Sequence, residues 1–352
     1  MQTRRTQYQA LSLFSGGLDS ILATKVIQSQ NIPVLGIHFV SPFFGDPDAV
    51  KRWEKLYGVP IAIHDVGEDF VRMLLAGPTQ GFGKVLNPCI DCKILMFTKA
   101  RELLAHYGAS FIISGTVVGQ RPMSQRRDAI NIVDRDAGVR DLVLSPLSAL
   151  RLKPTPMEEQ GLVDRSKLLG LWGRGRKAQL RMAREMGITE IPTPAGGCRL
   201  TDAEAAVRYV PVFRNHPSPA AADFHLANVG RQYWKQGLWL TIGRDQRDNK
   251  RLEGLHQDSD YHFRLADFPG PIGIGRPLPK VSWDEDRLRE AAALVASFSP
   301  KAKQSLRRVD VVIGHGANKQ IVSVMPDRGD KQGWAPPQWT EAQEWKQSWI
   351  RK

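Results

Sequence analysis

Ser15-Gly16-Gly17-Leu18-Asp19-Ser20 decides the fold class, because it joins an apolar run at residues 10–14 to a segment at 18–28 with apolar residues at helical spacing. Two glycines let backbone N–H groups approach an anion, and the N-terminus of the following helix adds unpaired N–H groups and a positive dipole end. Asp19 suits helix capping or a metal ion that bridges phosphates. An ordinary strand–helix turn is the alternative, but the position after the first strand favours a phosphate-binding loop.

Strands and helices alternate along the first half of the chain. The predicted segments are strands at 33–40, 59–64 and 111–114 and helices at 48–57 and 90–107. This alternation predicts an α/β fold with a doubly wound parallel sheet, whose ligands bind beyond the carboxyl ends of the strands. The loops at residues 15–20, 41–45 and 115–121 are therefore candidate site loops.

The length of 352 residues predicts more than one domain, since domains usually hold about 100–200 residues. The first domain is expected at residues 1–205. Beyond it the pattern changes to short strands with Gly and Pro turns, which predicts a smaller C-terminal α+β domain at 206–330 and a Trp-rich tail at 331–352. In that part, strands are predicted at 238–242, 261–265 and 309–313, a helix at 284–297 and a short last helix from Thr340.

The charge balance favours a polyanionic partner, because 49 Lys and Arg face 36 Asp and Glu, a net charge of +13. Residues 165–184 hold seven Lys or Arg and no acid. No run approaches 18 apolar residues and the first residues are polar, which argues against a membrane span or a signal peptide. A cytoplasmic protein is expected.

The three cysteines form a candidate metal or catalytic set. Cys89 and Cys92 are spaced as C-x-x-C at the start of a predicted helix, where the helix N-terminus and Lys93 would favour thiolate. Cys198 follows a pair of glycines. Three thiolates suit a [4Fe–4S] cluster with one iron left open, and a site without metal is the alternative. Zinc would need a fourth ligand, and no nearby histidine completes a convincing set.

The S-G-G-x-D-S string resembles the signature of the PP-loop ATP pyrophosphatases, which cleave ATP between its α and β phosphates to adenylate a carbonyl oxygen. The resemblance implies an adenine nucleotide alpha hydrolase-like fold with ATP and Mg²⁺ as cofactors. It also implies adenine contacts from the backbone of His38 or Phe39, although His38 could equally be a core histidine with satisfied hydrogen bonds. The other implied nucleotide contacts are Ser15, Gly16, Gly17, Asp19, Ser20 and Gly115.

The segment around the first two cysteines, N-P-x-x-x-C at residues 87–92, resembles tRNA 2-thiouridylases. Their two catalytic cysteines match Cys92 and Cys198. Cys89 departs from this two-cysteine pattern and makes the set similar to the three-cysteine, iron–sulfur-dependent tRNA thiolases. The resemblance implies catalytic roles for the three cysteines and Asp19, while the choice between a cluster and a sulfur relay stays open.

Candidate RNA contacts lie in two regions. Arg121 follows the strand at 111–114, and Trp172 is interleaved with the basic run, where Arg174, Arg176 and Lys177 could neutralise phosphates. A solvated basic face with a packing tryptophan is the alternative. Residues 241–252 and 262–271 resemble the RNA-binding domain of NFACT proteins, a resemblance that covers residues 208–330.

Together these patterns predict an ATP-dependent tRNA thiouridine synthase that replaces an adenylated uridine oxygen with sulfur held at the cysteine site. The expected partners are tRNA and a sulfur donor, whether a cysteine desulfurase, a sulfur carrier or inorganic sulfide; a homodimer is left open. One alternative is a PP-loop amidating ligase, for which no ammonia-supplying segment is visible. The other is a non-catalytic RNA-binding protein that retains a nucleotide site, against which the intact loop and three cysteines argue.

Overall fold

The computed structural model describes residues 8–192, 197–328 and 333–350. By its contacts the chain divides into two compact units, an N-terminal unit, Met1–Thr201, and a C-terminal unit, Asp202–Lys352. Within the described ranges, no helix is both long enough and apolar enough to cross a membrane.

Over residues 8–192 and 197–201, the N-terminal unit has five strands and seven helices. The strands are β1 (Ala10–Leu13), β2 (Val34–Val40), β3 (Ile61–Asp65), β4 (Phe111–Ile113) and β5 (Val143–Leu144). The helices are α1 (Leu18–Gln28), α2 (Val50–Tyr57), α3 (Gly67–Ala76), α4 (Cys89–Tyr107), α5 (Arg127–Asp136), α6 (Pro156–Glu159) and α7 (Lys177–Glu185). The sequence patterns missed α3 and α5, and the helix predicted at 48–57 opens as a 3-10 turn over Pro47–Ala49.

All pairings in this sheet are parallel, in the order β3-β2-β1-β4-β5. The central strand β1 pairs on one side with β2, Leu11 facing Leu35, and on the other with β4, Leu11 facing Ile112. The strand order therefore reverses between β1 and β4, and an open α/β sheet binds its ligands at such a point. The predicted fold class, a doubly wound parallel sheet with a smaller second domain, is confirmed.

Both faces of this sheet are covered, as the alternation of side chains along β1 shows. Ala10 packs with Ile21 and Leu22 of α1 on one face, while Leu11 packs with Phe97 and Ala100 of α4 on the other. A strand buried on both sides is expected to be apolar throughout, which is why β1 and β2 were recognisable. The 15–20 loop, between β1 and α1, thus starts from a strand that is covered on both faces.

The C-terminal unit is an antiparallel sheet with helices, in the strand order β11-β10-β8-β9-β7-β6. The strands are β6 (Arg231–Lys235), β7 (Leu238–Ile242), β8 (Tyr261–Leu265), β9 (Gly273–Arg276), β10 (Val309–His315) and β11 (Asn318–Val324). The helices are α8 (Ala203–Ala206), α9 (Val210–Asn215), α10 (Ala221–Ala227), α11 (Gln246–Leu255), α12 (Glu285–Ala296), α13 (Pro300–Gln304) and α14 (Trp339–Ile350).

Two features of this unit lie outside what the sequence patterns predicted. Arg276 is 3% exposed and donates two hydrogen bonds to Asp260, at 3.0 and 2.9 Å, and one to Asp223 at 3.0 Å. This buried ion network ties α10 to β9. The last helix α14 packs on α9 of the same unit, where the Trp345 ring stacks on Phe213 with centroids 5.0 Å apart.

Candidate functional site

The 15–20 loop presents several donors at one end of α1. The hydroxyl of Ser20 donates to the Gly17 carbonyl at 2.7 Å, and that of Ser15 donates to the Ser20 oxygen at 3.3 Å. No side chain caps α1, since Gly17 occupies the N-cap position. Among the described residues, the N–H groups of Leu18 and Asp19 have no acceptor. Free N–H groups at a helix N-terminus form an anion site.

Gly16 allows Trp53 to pack against the loop. Its φ of +75° is a conformation that favours glycine, and a Cβ there would lie 2.4 Å from the Trp53 ring. The same indole meets the His38 ring edge-on, with centroids 5.1 Å apart. Trp53, on α2, was not among the residues predicted for the site.

Gly115 follows β4 and brings a second strand end against the loop. A Cβ at this position would lie 2.8 Å from the Ser20 nitrogen and 2.9 Å from the Asp19 carbonyl carbon. Glycine is therefore required here for the close approach of two backbones, which is a reason for it independent of any ligand. The contact lies between β1 and β4, where the strand order reverses.

Asp19 is held by a pair of glutamines that the sequence did not reveal. Gln120 donates from Nε2 to Asp19 Oδ2 at 2.7 Å, and the buried Gln179 of α7 donates to Gln120 Oε1 at 3.2 Å. The other carboxylate oxygen, Asp19 Oδ1, is buried and has no hydrogen-bond partner among the described residues. A buried, unpartnered carboxylate oxygen beside free N–H groups suits a cation bound with an anion.

His38 is a core residue by its hydrogen bonds. Its Nδ1–H donates to the Phe14 carbonyl at 2.8 Å, and its Nε2 accepts from the Asp46 N–H at 2.9 Å. Burial lowers the pKa of His38, so the ring is neutral in the tautomer with the proton on Nδ1. Both ring nitrogens are thus occupied. The predicted adenine contact involves only the backbone of His38 or Phe39 and stays a prediction.

The C-x-x-C segment lies beside the 15–20 loop through Lys93. The Lys93 ammonium donates to Thr116 Oγ1 and to the Ser124 carbonyl, both at 3.2 Å. Thr116 is the neighbour of Gly115, which touches the Asp19–Ser20 backbone. Burial lowers the pKa of Lys93 to about 8. A series of contacts therefore leads from α4 to the N-terminal end of α1.

The third cysteine lies with the other two. The Leu86 N–H donates to the Leu200 carbonyl at 3.1 Å, which joins the chain before Cys89 to the chain after Cys198. Asn87 donates from Nδ2 to the Cys89 sulfur at 3.0 Å. No disulfide links the three thiols. Of the glycines before Cys198, Gly196 lies outside the described residues.

The pKa values of Cys92 and Cys198 differ from what the sequence led us to expect. Burial raises the pKa of Cys92 well above its usual value, and the nearby Cys198 and Cys89 raise it further, against a smaller lowering by Lys93. Burial raises the pKa of Cys198 to about 11. The prediction that helix position and Lys93 favour thiolate is therefore wrong for Cys92, because desolvation and mutual repulsion outweigh both.

Three partly buried thiols are also a donor set that a positively charged iron cluster would stabilise, so the residues fit such a group by kind and number of donors. Across the described parts of the chain, however, no group of three or more His, Cys, Asp or Glu side chains is arranged to hold a metal ion. The three cysteines are neighbours without forming a closed ligand set.

The Lys and Arg side chains of residues 165–184 fall into two groups. Some form ion pairs within the fold, and others form none with any described residue. Arg165 pairs with the Glu158 carboxylate and donates to the Ala149 carbonyl at 3.0 Å, so it serves the fold. Arg174, Arg176 and Lys177 have no ion pair with any described residue. They adjoin Trp172, whose ring is 68% exposed and whose backbone bridges to Val118, two residues before Gln120. Arg121 is exposed on the same loop.

Comparisons with known proteins identify one matching family model and several curated relatives. The family model described as the NFACT protein RNA binding domain matches residues 231–332. The chain is 31% identical over 128 residues to the tRNA-specific 2-thiouridylase MnmA of Petrotoga mobilis, covering 30% of this chain and 35% of that protein. It is 29% identical over 175 residues to a probable tRNA sulfurtransferase of Methanobrevibacter smithii, covering 46% and 44%. The chain thus spans less than half the length of these relatives.

Among solved structures, the U34-tRNA thiolase NcsA from Methanococcus maripaludis with its [4Fe–4S] cluster aligns at 17% identity and a TM-score of 0.29. That alignment covers 63% of this chain and 73% of the other. From the sequence matches, the resemblance to tRNA-thiolating enzymes and to the NFACT RNA-binding domain is confirmed.

Proposed function

We propose that this chain is an ATP-dependent tRNA thiouridine synthase. The proposal rests on a series of contacts that starts at helix α4, which carries the C-x-x-C segment. It runs from Lys93 through Thr116 and Gly115 to the 15–20 loop. Activated uridine and sulfur must meet close to the α-phosphate of ATP, so an anion site and a thiol set at one sheet edge are what the reaction needs.

In the first step, the uridine carbonyl oxygen attacks the α-phosphorus of ATP, and the bond to the β-phosphate breaks with loss of pyrophosphate. The free N–H groups at the start of α1 and the hydroxyls of Ser15 and Ser20 hold phosphate oxygens. Asp19 Oδ1 is the atom available to a Mg²⁺ ion, and Gln120 fixes the carboxylate by its bond to Oδ2. Mg²⁺, when bound, neutralises charge on the leaving pyrophosphate.

In the second step, a sulfur nucleophile attacks the ring carbon that carries the adenylated oxygen, and AMP leaves with that oxygen. Adenylation must come first, because the uridine oxygen alone is a poor leaving group. Cys89, Cys92 and Cys198 are the proposed ligands of a [4Fe–4S] cluster, which when bound would present sulfur at its open iron. The sulfur donor delivers sulfide to this set.

The substrate partner in this proposal is tRNA. Arg121, Arg174, Arg176 and Lys177 are exposed or partly exposed cations beside the 15–20 loop and are free to neutralise phosphates. The exposed Trp172 ring can stack on an unpaired base. We assign catalysis to residues 1–205 and further RNA contacts to residues 206–330, where the RNA-binding family model matches.

The first experiment measures pyrophosphate release and thiouridine formation, the latter by mass spectrometry of nucleosides, with tRNA, ATP, Mg²⁺ and sulfide under anaerobic conditions. Asp19→Ala should abolish both while circular dichroism stays native, because Asp19 serves ligands rather than the core. Asp141→Ala is the matched control, since Asp141 is an exposed carboxylate of the same unit. Unchanged pyrophosphate release in Asp19→Ala contradicts the proposal.

The second experiment addresses the cysteines. Anaerobic reconstitution with iron and sulfide should give a brown protein with the absorbance of a [4Fe–4S] cluster, and changing any one of Cys89, Cys92 or Cys198 to Ser should lose it. Iron-free protein that is active with a cysteine desulfurase, which delivers sulfur already at the persulfide level, and in which only Cys89→Ser retains activity, would instead indicate a persulfide relay between Cys92 and Cys198.

A further inference from the structure

A surface cavity of about 290 Å³ lies in the C-terminal unit, within the residues that the RNA-binding family model matches. It has apolar walls from Phe268, Pro269 and Ile272. Another part of the cavity is lined by polar groups, the Asn249 amide and the Glu253–Arg264 ion pair. In that pair, Arg264 Nη2 lies 2.6 Å from Glu253 Oε1. The cavity is at the small end of ligand pockets, which hold about 300–1,000 Å³.

The walls are fixed by hydrogen bonds between separate elements. Asn249 Oδ1, on α11, accepts from the Ile272 N–H at 3.1 Å, and the Gly243 N–H donates to the Ile272 carbonyl at 2.9 Å. The Ser299 hydroxyl donates to the Pro269 carbonyl at 2.7 Å. The pocket is therefore formed before any ligand arrives, which lowers the entropic cost of binding.

Three arginines that do not line the pocket are held on aromatic rings in or near its wall. The Arg307 guanidinium lies 5.7 Å from the centroid of Phe268, a wall residue. Arg231 and Arg328 lie over the Phe298 ring, at 4.7 and 3.9 Å, and Phe298 adjoins the Ser299 that binds Pro269. Cation–π contact fixes a guanidinium while its remaining N–H groups stay available to an anion. Arg231 uses Nη1 to donate to the Gly243 carbonyl at 3.0 Å, which also joins it to the strand end beside Ile272.

We propose that this pocket holds an unstacked nucleobase of tRNA, with the flanking phosphates on Arg307, Arg231 and Arg328. A base has two flat apolar faces and a polar edge, which matches the Phe268 wall and the polar groups of Asn249, Glu253 and Arg264. Because the nearby arginines are positively charged, a polyanion fits this pocket better than an apolar protein segment does. This inference rests on the proposed function for its choice of tRNA.

The test is the affinity of full-length protein for an unmodified tRNA transcript at several salt concentrations. Phe268→Ala should weaken binding roughly 10-fold with an unchanged salt slope, because it removes stacking and no charge. Phe268→Tyr should restore the affinity. Arg307→Gln should weaken binding and reduce the slope by about 1, since one phosphate contact is lost. Arg308→Gln is the matched control, because the neighbouring Arg308 donates to the Ser323 carbonyl instead.

Wild-type affinity in both Arg307→Gln and Phe268→Ala overturns the pocket proposal, and so does an equal loss in Arg308→Gln. If Phe268→Ala fails to fold, Phe268→Leu, which keeps an apolar side chain without a ring, takes its place. Thiouridine formation in the same samples separates the two proposals. If the wild-type protein thiolates tRNA and the pocket variants bind tRNA normally, the pocket proposal fails and the proposed function stands. If the wild-type protein binds no tRNA, both the pocket proposal and the proposed function are contradicted.

Discussion

At the scale of single residues, Gln120 is the side chain on which the Asp19 carboxylate depends. It donates to Asp19 Oδ2 across 101 positions of sequence. Gln120→Leu removes that donor at nearly constant volume and leaves a part-buried charged oxygen unpaired, a loss of about 1–3 kcal/mol. We expect pyrophosphate release to slow by roughly 5- to 150-fold. Gln160→Leu is the control, since Gln160 is exposed; equal rates in the two variants would contradict this role.

Gly115 gives a second prediction at this scale. A methyl group there would lie 2.8 Å from the Ser20 nitrogen, so Gly115→Ala must push the first turn of α1 away from β4. ATP binding, measured by calorimetry without tRNA, should weaken at least tenfold while far-ultraviolet circular dichroism is preserved. Gly254→Ala should leave ATP binding unchanged, because nothing lies within 4 Å of its Cβ position. Normal ATP affinity in Gly115→Ala would mean that the turn can move freely.

At the scale of elements, helix α4 and the chain around Cys198 hold thiols whose ionisation is suppressed. Burial raises the pKa of Cys92 and Cys198, the latter to about 11. In iron-free protein, alkylation of Cys198 by iodoacetamide should therefore rise about tenfold per pH unit between pH 7 and 10, with no plateau near the usual thiol pKa. The unfolded chain releases these protons at lower pH than the folded chain, so iron-free protein should also lose stability as pH rises above about 9.

Peptide mass spectrometry of the alkylated protein gives the rate at each cysteine, and thermal melts give the stability. Urea-unfolded protein is the control, in which all three thiols should titrate near their ordinary pKa. A plateau for Cys198 at pH 8 to 9 in folded protein would show that the thiol is not desolvated.

The elements differ in how far the sequence predicted them. The 15–20 loop and its flanking elements were predictable because turn chemistry and apolar periodicity are local signals. Strand β9 was not, since Gly273 and Gly275 weaken any strand pattern. The fold needs them because Cβ atoms there would lie 2.5 Å from Val295 and 2.7 Å from Trp283.

Contacts between distant elements were equally hidden in the sequence. Gln120 and Gln179 hydrogen-bond across 59 positions, and neither glutamine belongs to a motif. Arg276 belongs to no sequence motif, yet it lies buried between Asp223 and Asp260. Such pairs depend on which elements come together in three dimensions, so local patterns carry no signal for them.

At the scale of the whole molecule, the excess of positive charge is shared by both parts of the chain. Residues 1–205 hold 26 Lys and Arg against 20 acids, and residues 206–352 hold 23 against 16. If one tRNA uses cations from both units, charge changes in either unit must weaken the same complex. If each unit binds RNA independently, wild-type protein should bind two RNA molecules and each set of changes should remove one of them.

Three variants of the full chain separate these cases. They are Arg174→Gln/Arg176→Gln/Lys177→Gln in the N-terminal unit, Arg307→Gln in the C-terminal unit, and their combination. For one shared tRNA we expect a stoichiometry of one throughout, salt slopes reduced by about 3, 1 and 4, and a combined loss of affinity equal to the product of the separate losses. Arg126→Gln is the control in the N-terminal unit, since Arg126 is already paired with Asp128 at 2.8 Å. Calorimetric titration at several salt concentrations gives stoichiometry and slope together. A salt slope that the N-terminal triple variant leaves unchanged would remove those three cations from the RNA interface.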